Sequence, residues 1–437
     1  MKGFEQTSLL LALCLLTGLS SADYALHIFG NANMDDVIDL ANVEYVRGII
    51  EETSEVTELA DANHDGNVDE EDVSRIEEII NGEEAEMTVI DSDGNVVTIA
   101  VPVERIVIYN HQGAEALQIL GASEKVVGVR DSFESQPNRF PKISQKTNIG
   151  NGGEPDIEAI LSQNPDLIIA YTFYPTKEAL EEKLGSTVPV LRIDCSGSGP
   201  SGVDSIRDSI SILGYLMDKR EEAAGYQEWH DKYVNEVSSR TSQISKEDRV
   251  RFYLESTPEG DETVSSRTAI GKNHPASNLC ELAGGVNIAA GHLPLYEDTD
   301  EEYGEIETEW VLEQNPEVIV GRAMGGGVKP YENENDSLLR AYYDEIVGLP
   351  GFDGTEAVKN DRVYIITNDH AVTPNYPSAL LLLAKWFYPE TFEDLDSREA
   401  HREYLEMMGL SPEMADKNTF FYPEEAWNRP PSTFKFF

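Results

Sequence analysis

The sequence is poor in cysteine, in positive charge and in long apolar runs. It holds 3 cysteines in 437 residues. Cys14 lies near the start, which leaves Cys195 and Cys280, too few for a disulfide framework. They read as small buried residues. Lys and Arg number 33 against 81 Asp and Glu, a net charge of −48. Such a surface excludes a nucleic-acid binder, which needs basic patches. The acid reads mainly as a solvated surface. One apolar run exists, Ser8 to Leu19 after Lys2, and it is too short to span a bilayer. Ser20, Ser21 and Ala22 follow it, so residues 1–22 read as a secretory signal. Leu13 precedes Cys14 where a lipid-attachment site needs a small residue, so no lipid anchor is expected. The chain is expected to be exported, to the cell surface or a periplasm-like space. No nucleophile motif, no His-Glu-x-x-His and no close Cys/His cluster occurs, so no enzyme is expected.

What the sequence does contain is a duplication. Residues 153–170 read G-E-P-D-I-E-A-I-L-S-Q-N-P-D-L-I-I-A, and 304–321 read G-E-I-E-T-E-W-V-L-E-Q-N-P-E-V-I-V-G. They align without a gap. Each is a short helix, an Asn-Pro stop and a buried strand. Proline cannot continue a helix and drives the residue before it out of the right-handed α region. The helices should therefore end near Asn164 and Asn315. Two copies so far apart predict two similar lobes, each with its own sheet.

Residues 23–84 carry a smaller duplication. Residues 61–72 read D-A-N-H-D-G-N-V-D-E-E-D. Asp61, Asn63, Asp65, Asn67 through its carbonyl, Asp69 and Asp72 fall at loop positions 1, 3, 5, 7, 9 and 12 of a calcium loop, with Gly66 at the sharp turn. Residues 31–42 repeat the spacing with Asn31, Asn33, Asp35, Val37, Asp39 and Asn42. This copy has Asp36 in place of the glycine and fewer charged ligands, so any metal should bind there more weakly. An apolar-periodic helix follows each loop. Two loop-plus-helix repeats with Asp or Asn at position 12 resemble a type I dockerin. That resemblance implies a small all-α domain that needs Ca²⁺ to fold and a cohesin-like partner at the cell surface. A Ca²⁺-stapled spacer without a partner is the other reading. Residues 83–86 read as an acidic linker.

From 87 to 202 strands alternate with helices, the signature of a mostly parallel three-layer lobe. Residues 203–247 lack proline and read as one long helix, with a possible break at Asp218. The second lobe occupies 248–437 and ends in helices. The tail from Ser411 fits no pattern.

This order resembles the class III binding proteins of ABC importers for iron-siderophore complexes, haem and cobalamin. The resemblance covers about 87–408. It rests on M-T-V-I-D-S-D-G-N-V-V-T-I with V-E-R-I-V-I at the start, E-A-I-L-S-Q-N-P-D-L-I-I, G-K-N-H-P-A-S-N-L-C-E-L-A-G-G-V-N-I-A, and K-N-D-R-V-Y-I-I as the last strand. It implies an α/β monomer of two three-layer lobes joined by a long helix. A metal chelate would sit between the lobes, with little hinge motion. The ligand would be an iron-siderophore complex, haem, a corrinoid or a metal ion. Glu154 and Glu305 would dock on arginines of the membrane permease. As helix-start acids they are also favoured by the helix dipole. A surface structural or adhesive protein without transport is the alternative class.

In α/β lobes ligands sit beyond the carboxyl ends of the strands. That rule selects Tyr109, Asn110, His111, Gln112, Arg130, Tyr171, Phe173, Tyr174 and Ser196 in the first lobe. In the second it selects Arg267, Lys272, His274, Arg322, Met324, His370 and Tyr376. Tyr and His could ligate a metal, and His111 could equally bond backbone. Arg could pair with a chelate's carboxylates.

Overall fold

The computed structural model describes residues 25–197, 204–257, 265–296, 299–325 and 327–424. The predicted signal segment lies outside these residues. The first lobe is built on a parallel sheet of five strands: Ile106–Ile108, Val126–Val129, Thr147–Asn148, Leu167–Ala170 and Val190–Arg192. The first strand is central, flanked by the second on one side and the fourth on the other. The apolar runs IVI and LIIA are buried along their whole length, as a parallel sheet covered on both faces requires.

The second lobe's sheet is mixed. Arg251–Ser256, Val318–Ala323 and Val363–Thr367 lie parallel and adjacent, and Val286–Asn287 pairs with Arg251–Ser256 on its other side. Ser266–Ile270 and Tyr303–Glu307 add an antiparallel edge. The tail that fits no sequence pattern supplies the far edge: Phe421–Tyr422 pairs antiparallel with Val363–Thr367. Phe420 and Phe421 are buried there.

The duplicated stretch folds as two helices starting at matched positions, Ile157–Ser162 and Thr308–Gln314. Asn164 and Asn315 have φ of 46° and 48°. Asparagine tolerates this left-handed conformation. It ends the helix and turns the chain into the strand within one residue.

The connector takes the broken form of the helix that the sequence offered. It is two helices, Asp204–Leu216 and Arg220–Thr241, broken where Asp218 has φ 56°. They fold back on each other. Arg207 Nε donates to Gln227 Oε1 at 2.9 Å, and a Cβ on Gly214 would stand 2.6 Å from that of Ala223. Only the second helix, ~33 Å long, runs between the lobes. It is tied at Tyr226, whose hydroxyl donates to the Pro374 carbonyl, and at Thr241, which donates to the Leu282 carbonyl.

The N-terminal helices Leu40–Ile50 and Glu70–Asn81 pack on one another through Val43, Val46, Val73 and Ile76. This unit does not hang from a linker. Phe29 N–H donates to Thr88 O and Ile90 N–H to His27 O, both at 3.0 Å, so it joins the hairpin Glu86–Ile90/Val96–Ala100. Tyr215 Oη accepts from Ile38 N–H at 3.0 Å, and Arg220 donates to the Ile79 carbonyl. His27 pairs with Asp208 at 3.0 Å. Glu84, in the expected linker, is itself buried beside Arg220. One continuous apolar core runs from Leu26 through the first lobe and the connector into the second lobe, where Phe252, Leu254 and Ile366 belong to it.

Candidate functional site

Each sheet has a switch point, where a first strand is flanked on its two sides by chain running in opposite directions around the sheet. Loops part there and leave a crevice at the strands' carboxyl ends. In the first lobe it lies between Ile106–Ile108 and Leu167–Ala170. His111 and Tyr171 emerge from these strands and touch: Tyr171 Oη accepts from His111 N–H at 3.1 Å and donates to Gln112 Oε1 at 3.0 Å. Arg130, half-buried at the end of Val126–Val129, lies 5.5 Å and 5.9 Å from the Tyr171 and Tyr174 ring centroids, a cation–π arrangement.

Arginine only donates, so His111 Nδ1 accepts from Arg130 at 3.3 Å. The hydrogen is then on Nε2, which is given to Ser132 Oγ at 3.0 Å. Burial, then the Arg130 charge, holds the imidazole well below its usual pKa. It is neutral and both nitrogens are engaged. His111, one of the residues expected at the ligand, stands in this crevice with both ring nitrogens hydrogen-bonded.

In the second lobe the switch point lies between Arg251–Ser256 and Val318–Ala323. Arg322 rises there, 6% exposed. Its Nη2 lies 3.3 Å from Ser256 Oγ and 2.8 Å from Met324 Sδ, and its Nη1 lies 2.9 Å from His274 Nε2. His274 Nδ1 accepts from Ala276 N–H and so caps the helix Pro275–Leu282. With Nδ1 accepting, the hydrogen belongs on Nε2, and two N–H donors face each other. Burial, then Arg322, keeps His274 neutral.

The two lobes come together beside these crevices, where Asp194 of the first and Arg322 of the second both act on Glu301. Burial raises the Glu301 carboxyl to about 7, Asp194 of the first lobe adds to this, and Arg322 opposes it. The lobes touch along one side, where Glu332 Oε1 accepts from Asn138 N–H at 2.9 Å and Gln112 Nε2 donates to Val372 O at 3.4 Å. Beneath lies a buried network. Arg139 pairs with Glu115 at 2.9 Å and with Asp369 at 3.1 Å, and Tyr404 donates to Glu115 at 2.7 Å. Gln136 accepts from Arg139 and lies 3.3 Å from His111 Nε2.

Several expected ligand residues do not join this crevice. Tyr109 is fully buried and donates to the Ile149 carbonyl. Asn110 caps the helix His111–Ile119. Arg267 is held by Glu255 at 2.6 Å and by Glu345, an internal ion pair. His370 is buried against Ser378, its pKa pushed down to about 3 by burial. Tyr376 bonds His230 in the core. Lys272 is exposed, with its N–H on Glu302. Ser196 bonds Asp194. Residues the sequence did not single out are Ser132, Gln136, Arg139, Ser256 and Glu301. The polar loop 131–151 carries three of them and has no periodicity to mark them.

Glu154 and Glu305 are both exposed, each three residues ahead of its helix, and Glu305 accepts from Ser266 Oγ at 3.1 Å.

The two N-terminal loops share their turn bonds. Asn63 N–H donates to Asp72 and Asn33 N–H to Asn42. Asp61 accepts from Asp65 and Gly66, Asp65 accepts from Asn67, and Asp35 accepts from Val37. Asp39 and Asp69 cap the helices that follow. The donors are all oxygen, as Ca²⁺ requires, and Asn31 Oδ1 is buried without a partner. The carboxylates are turned to backbone N–H groups, however, and among the described residues no three His, Cys, Asp or Glu side chains converge to hold a metal.

Residues 106–370 match the family model described as "Periplasmic binding protein". The molybdate-binding protein MolA of Haemophilus influenzae is 23% identical over 350 residues, 74% of this chain and 90% of that protein. The vitamin B12-binding protein of Vibrio cholerae is 25% identical over 270 residues, 61% and 82%. The crystal structure of the TroA-like periplasmic binding protein FepB from Veillonella parvula superposes with a TM-score of 0.60 at 21% identity, covering 76% of this chain and 98% of that one. With the two facing sheets and the helix between them, these matches show that the chain belongs to the periplasmic binding protein family.

Proposed function

We propose that this chain is the exported substrate-binding component of an ABC importer. It captures an anionic metal chelate between its lobes and hands it to a membrane permease. The observation that carries this reading is the pairing of Arg130 and Arg322, one at the crevice of each sheet. A guanidinium beside a neutral imidazole is an anion receiver that keeps its charge. Thermal shift of the intact protein should show stabilisation by at least one of ferric citrate, haemin, cyanocobalamin and molybdate. No shift with any of them at 1,000 times a micromolar affinity, on the order of millimolar, sinks the reading. Arg130→Ala and Arg322→Ala should each weaken the ligand found by roughly tenfold or more, the worth of a charge-assisted hydrogen bond. Unchanged affinity in both would remove the guanidinium from the mechanism.

Glu154 and Glu305 are proposed as the acids that dock on the permease. They are equivalent in the duplication and exposed. Glu154→Gln with Glu305→Gln should leave ligand affinity as it is and abolish ligand-stimulated ATPase activity of the reconstituted importer. Normal stimulation would rule the docking assignment out.

The N-terminal loops are proposed to take Ca²⁺, with the second loop the stronger, and the unit to serve as a dockerin-like attachment to a cohesin-like surface protein. The shared turn bonds and the orphaned Asn31 oxygen support calcium.

A further inference from the structure

Glu154 and Glu305 each stand two residues beyond a position that meets an aromatic ring, and each ring leads to a crevice arginine. The two acids align in the duplication, so Gly152 aligns with Tyr303. On the first lobe the position is a glycine that receives a ring from another loop. A Cβ built on Gly152 would lie 1.6 Å from Tyr174 Cε1 and 2.0 Å from its Cζ, so the tyrosine ring fills the place of the missing side chain. The φ of Gly152 is not positive, and only this close approach requires a glycine there. Gly152 is buried, while Asn151, Gly153 and Glu154 around it are exposed. The same ring has the Arg130 guanidinium 5.9 Å from its centroid. On the second lobe the aligned position supplies the ring itself. Tyr303 stacks on His274, centroids 6.2 Å apart and planes at 22°, and His274 Nε2 lies 2.9 Å from Arg322 Nη1. Tyr303 and Glu305 share one face of the strand Tyr303–Glu307, because side chains two apart in a strand point the same way.

The backbone on either side of these rings is held. Arg192 donates to the Tyr171 and Pro175 carbonyls at 2.7 Å and 2.8 Å and is itself paired with Glu181 at 2.7 Å, which pins the loop that carries Tyr174. The loop that carries Glu154 is closed by a bridge between Gly150 and Pro155, and Asn151 Oδ1 accepts from Glu154 N–H at 2.9 Å. On the second lobe Glu305 pairs in register with Thr268 across the strands. A shift of either ring is therefore passed to the segment bearing the acid and is not absorbed by a loose loop. The two lobes use different residues, a glycine under a ring and a ring in the strand, and make the same connection.

Resting on the docking assignment above, we propose that Tyr174, seated on Gly152, and Tyr303 are positioning residues that tie occupancy of the crevices to the permease face. An anion drawn to Arg130 competes for guanidinium charge that the Tyr174 ring otherwise shares. On the second lobe His274 stands between Arg322 and the Tyr303 ring and relays the same change. Such a tie is a coupling between two sites and is reciprocal: the factor by which the bound anion changes permease affinity is the factor by which the permease changes anion affinity.

The test is binding of the intact protein to its permease and ATPase in nanodiscs, with and without a saturating probe. The probe is whichever of ferric citrate, haemin, cyanocobalamin and molybdate stabilises the protein. In the wild type the probe should change permease affinity about fivefold or more, the low end of typical coupling. Gly152→Ala, whose methyl group displaces the Tyr174 ring, and Tyr303→Leu should each move that ratio towards one, and together they should bring it to about one. Tyr303→Phe keeps the ring and should keep the wild-type ratio. Melting curves are the folding control, and if Gly152→Ala does not fold, Tyr303→Leu against Tyr303→Phe decides alone. A wild-type ratio of one, or a ratio that survives both Gly152→Ala and Tyr303→Leu, overturns the inference and leaves the docking assignment in place. So does a ratio lost equally in Tyr303→Phe and Tyr303→Leu. Permease affinity that ignores Glu154→Gln with Glu305→Gln removes the docking assignment, and the inference falls with it.

Discussion

Removing Ca²⁺ from the loops proposed to bind it should lower the melting temperature of the N-terminal unit and the first lobe of the intact protein together, in one transition. A tethered calcium module would melt alone and leave the lobes unchanged. Here the module shares its core with the lobe: Leu26, Ile28 and Val46 belong to the same cluster as Val89, Ile106 and Leu213. Its first loop is bonded at Ile38 to Tyr215, and its second helix ends on Arg220. Tyr215 and Arg220 lie on the two helices of the connector. Ion binding to a folded loop at a thousandfold excess over Kd adds about 4 kcal/mol. For a cooperative unit of this size that amounts to a shift on the order of ten degrees. Differential scanning calorimetry in calcium and in EDTA checks it. Asp61→Ala with Asp65→Ala should abolish the calcium response. A separate early transition in EDTA, with the main one unmoved, would show that the shared core does not couple the two parts.

How much of this was legible in the sequence follows the range of the interactions involved. The Asn-Pro stops marked two helices and two strands because proline acts on its own neighbours. The helix starts at Ile157 and Thr308 fall at aligned positions for the same reason. The calcium-loop spacing is likewise local, and its turn bonds appear where the spacing puts them. Arg322 was selected by the strand-end rule, and it stands near the carboxyl end of its strand. Other residues depended on partners far along the chain. Arg267 and His370 stand in loops or strands of the right kind, yet Glu255 and Ser378 claim them. Nothing local distinguishes a histidine that faces a cleft from one that faces the core. Tyr215 reads as one apolar position in a helix, and only the fold sets its hydroxyl against Ile38, |i−j| of 177. The connector's break was offered by the sequence at Asp218, where it falls; what the sequence did not show is that the two helices fold back on each other. The tail strand Phe421–Tyr422 is two residues long, below the length at which alternation can be read.

Replacing Arg139 by Met should cost the protein roughly 3–5 kcal/mol, the range for breaking a buried ion pair from one side. Arg139 is 1% exposed and Glu115 fully buried. Burial works against the guanidinium charge, but Asp369 and Glu115 outweigh it, so the pKa is raised and the charge is kept. Without Arg139, Glu115 keeps only Tyr404 among these partners and must carry a charge in the core or take up a proton. Either course is costly. The pair also holds the lobes together, since Glu115 and Arg139 belong to the first lobe and Asp369 and Tyr404 to the second. Replacing both members by apolar residues of similar volume, Glu115→Leu with Arg139→Met, removes the orphaned charge and should recover much of the loss. Urea unfolding of the two single variants and the double variant measures this cycle. A cost below about 1 kcal/mol for Arg139→Met would mean that the pair behaves as a surface bridge. Full additivity in the double variant would mean that the two residues do not act on each other. Because Arg139 lies over the Phe140 ring, 5.0 Å from its centroid, and Phe140 stacks on His111, Arg139→Met should also loosen the imidazole beside Arg130 and weaken ligand binding. A variant that binds normally would confine the network to stability.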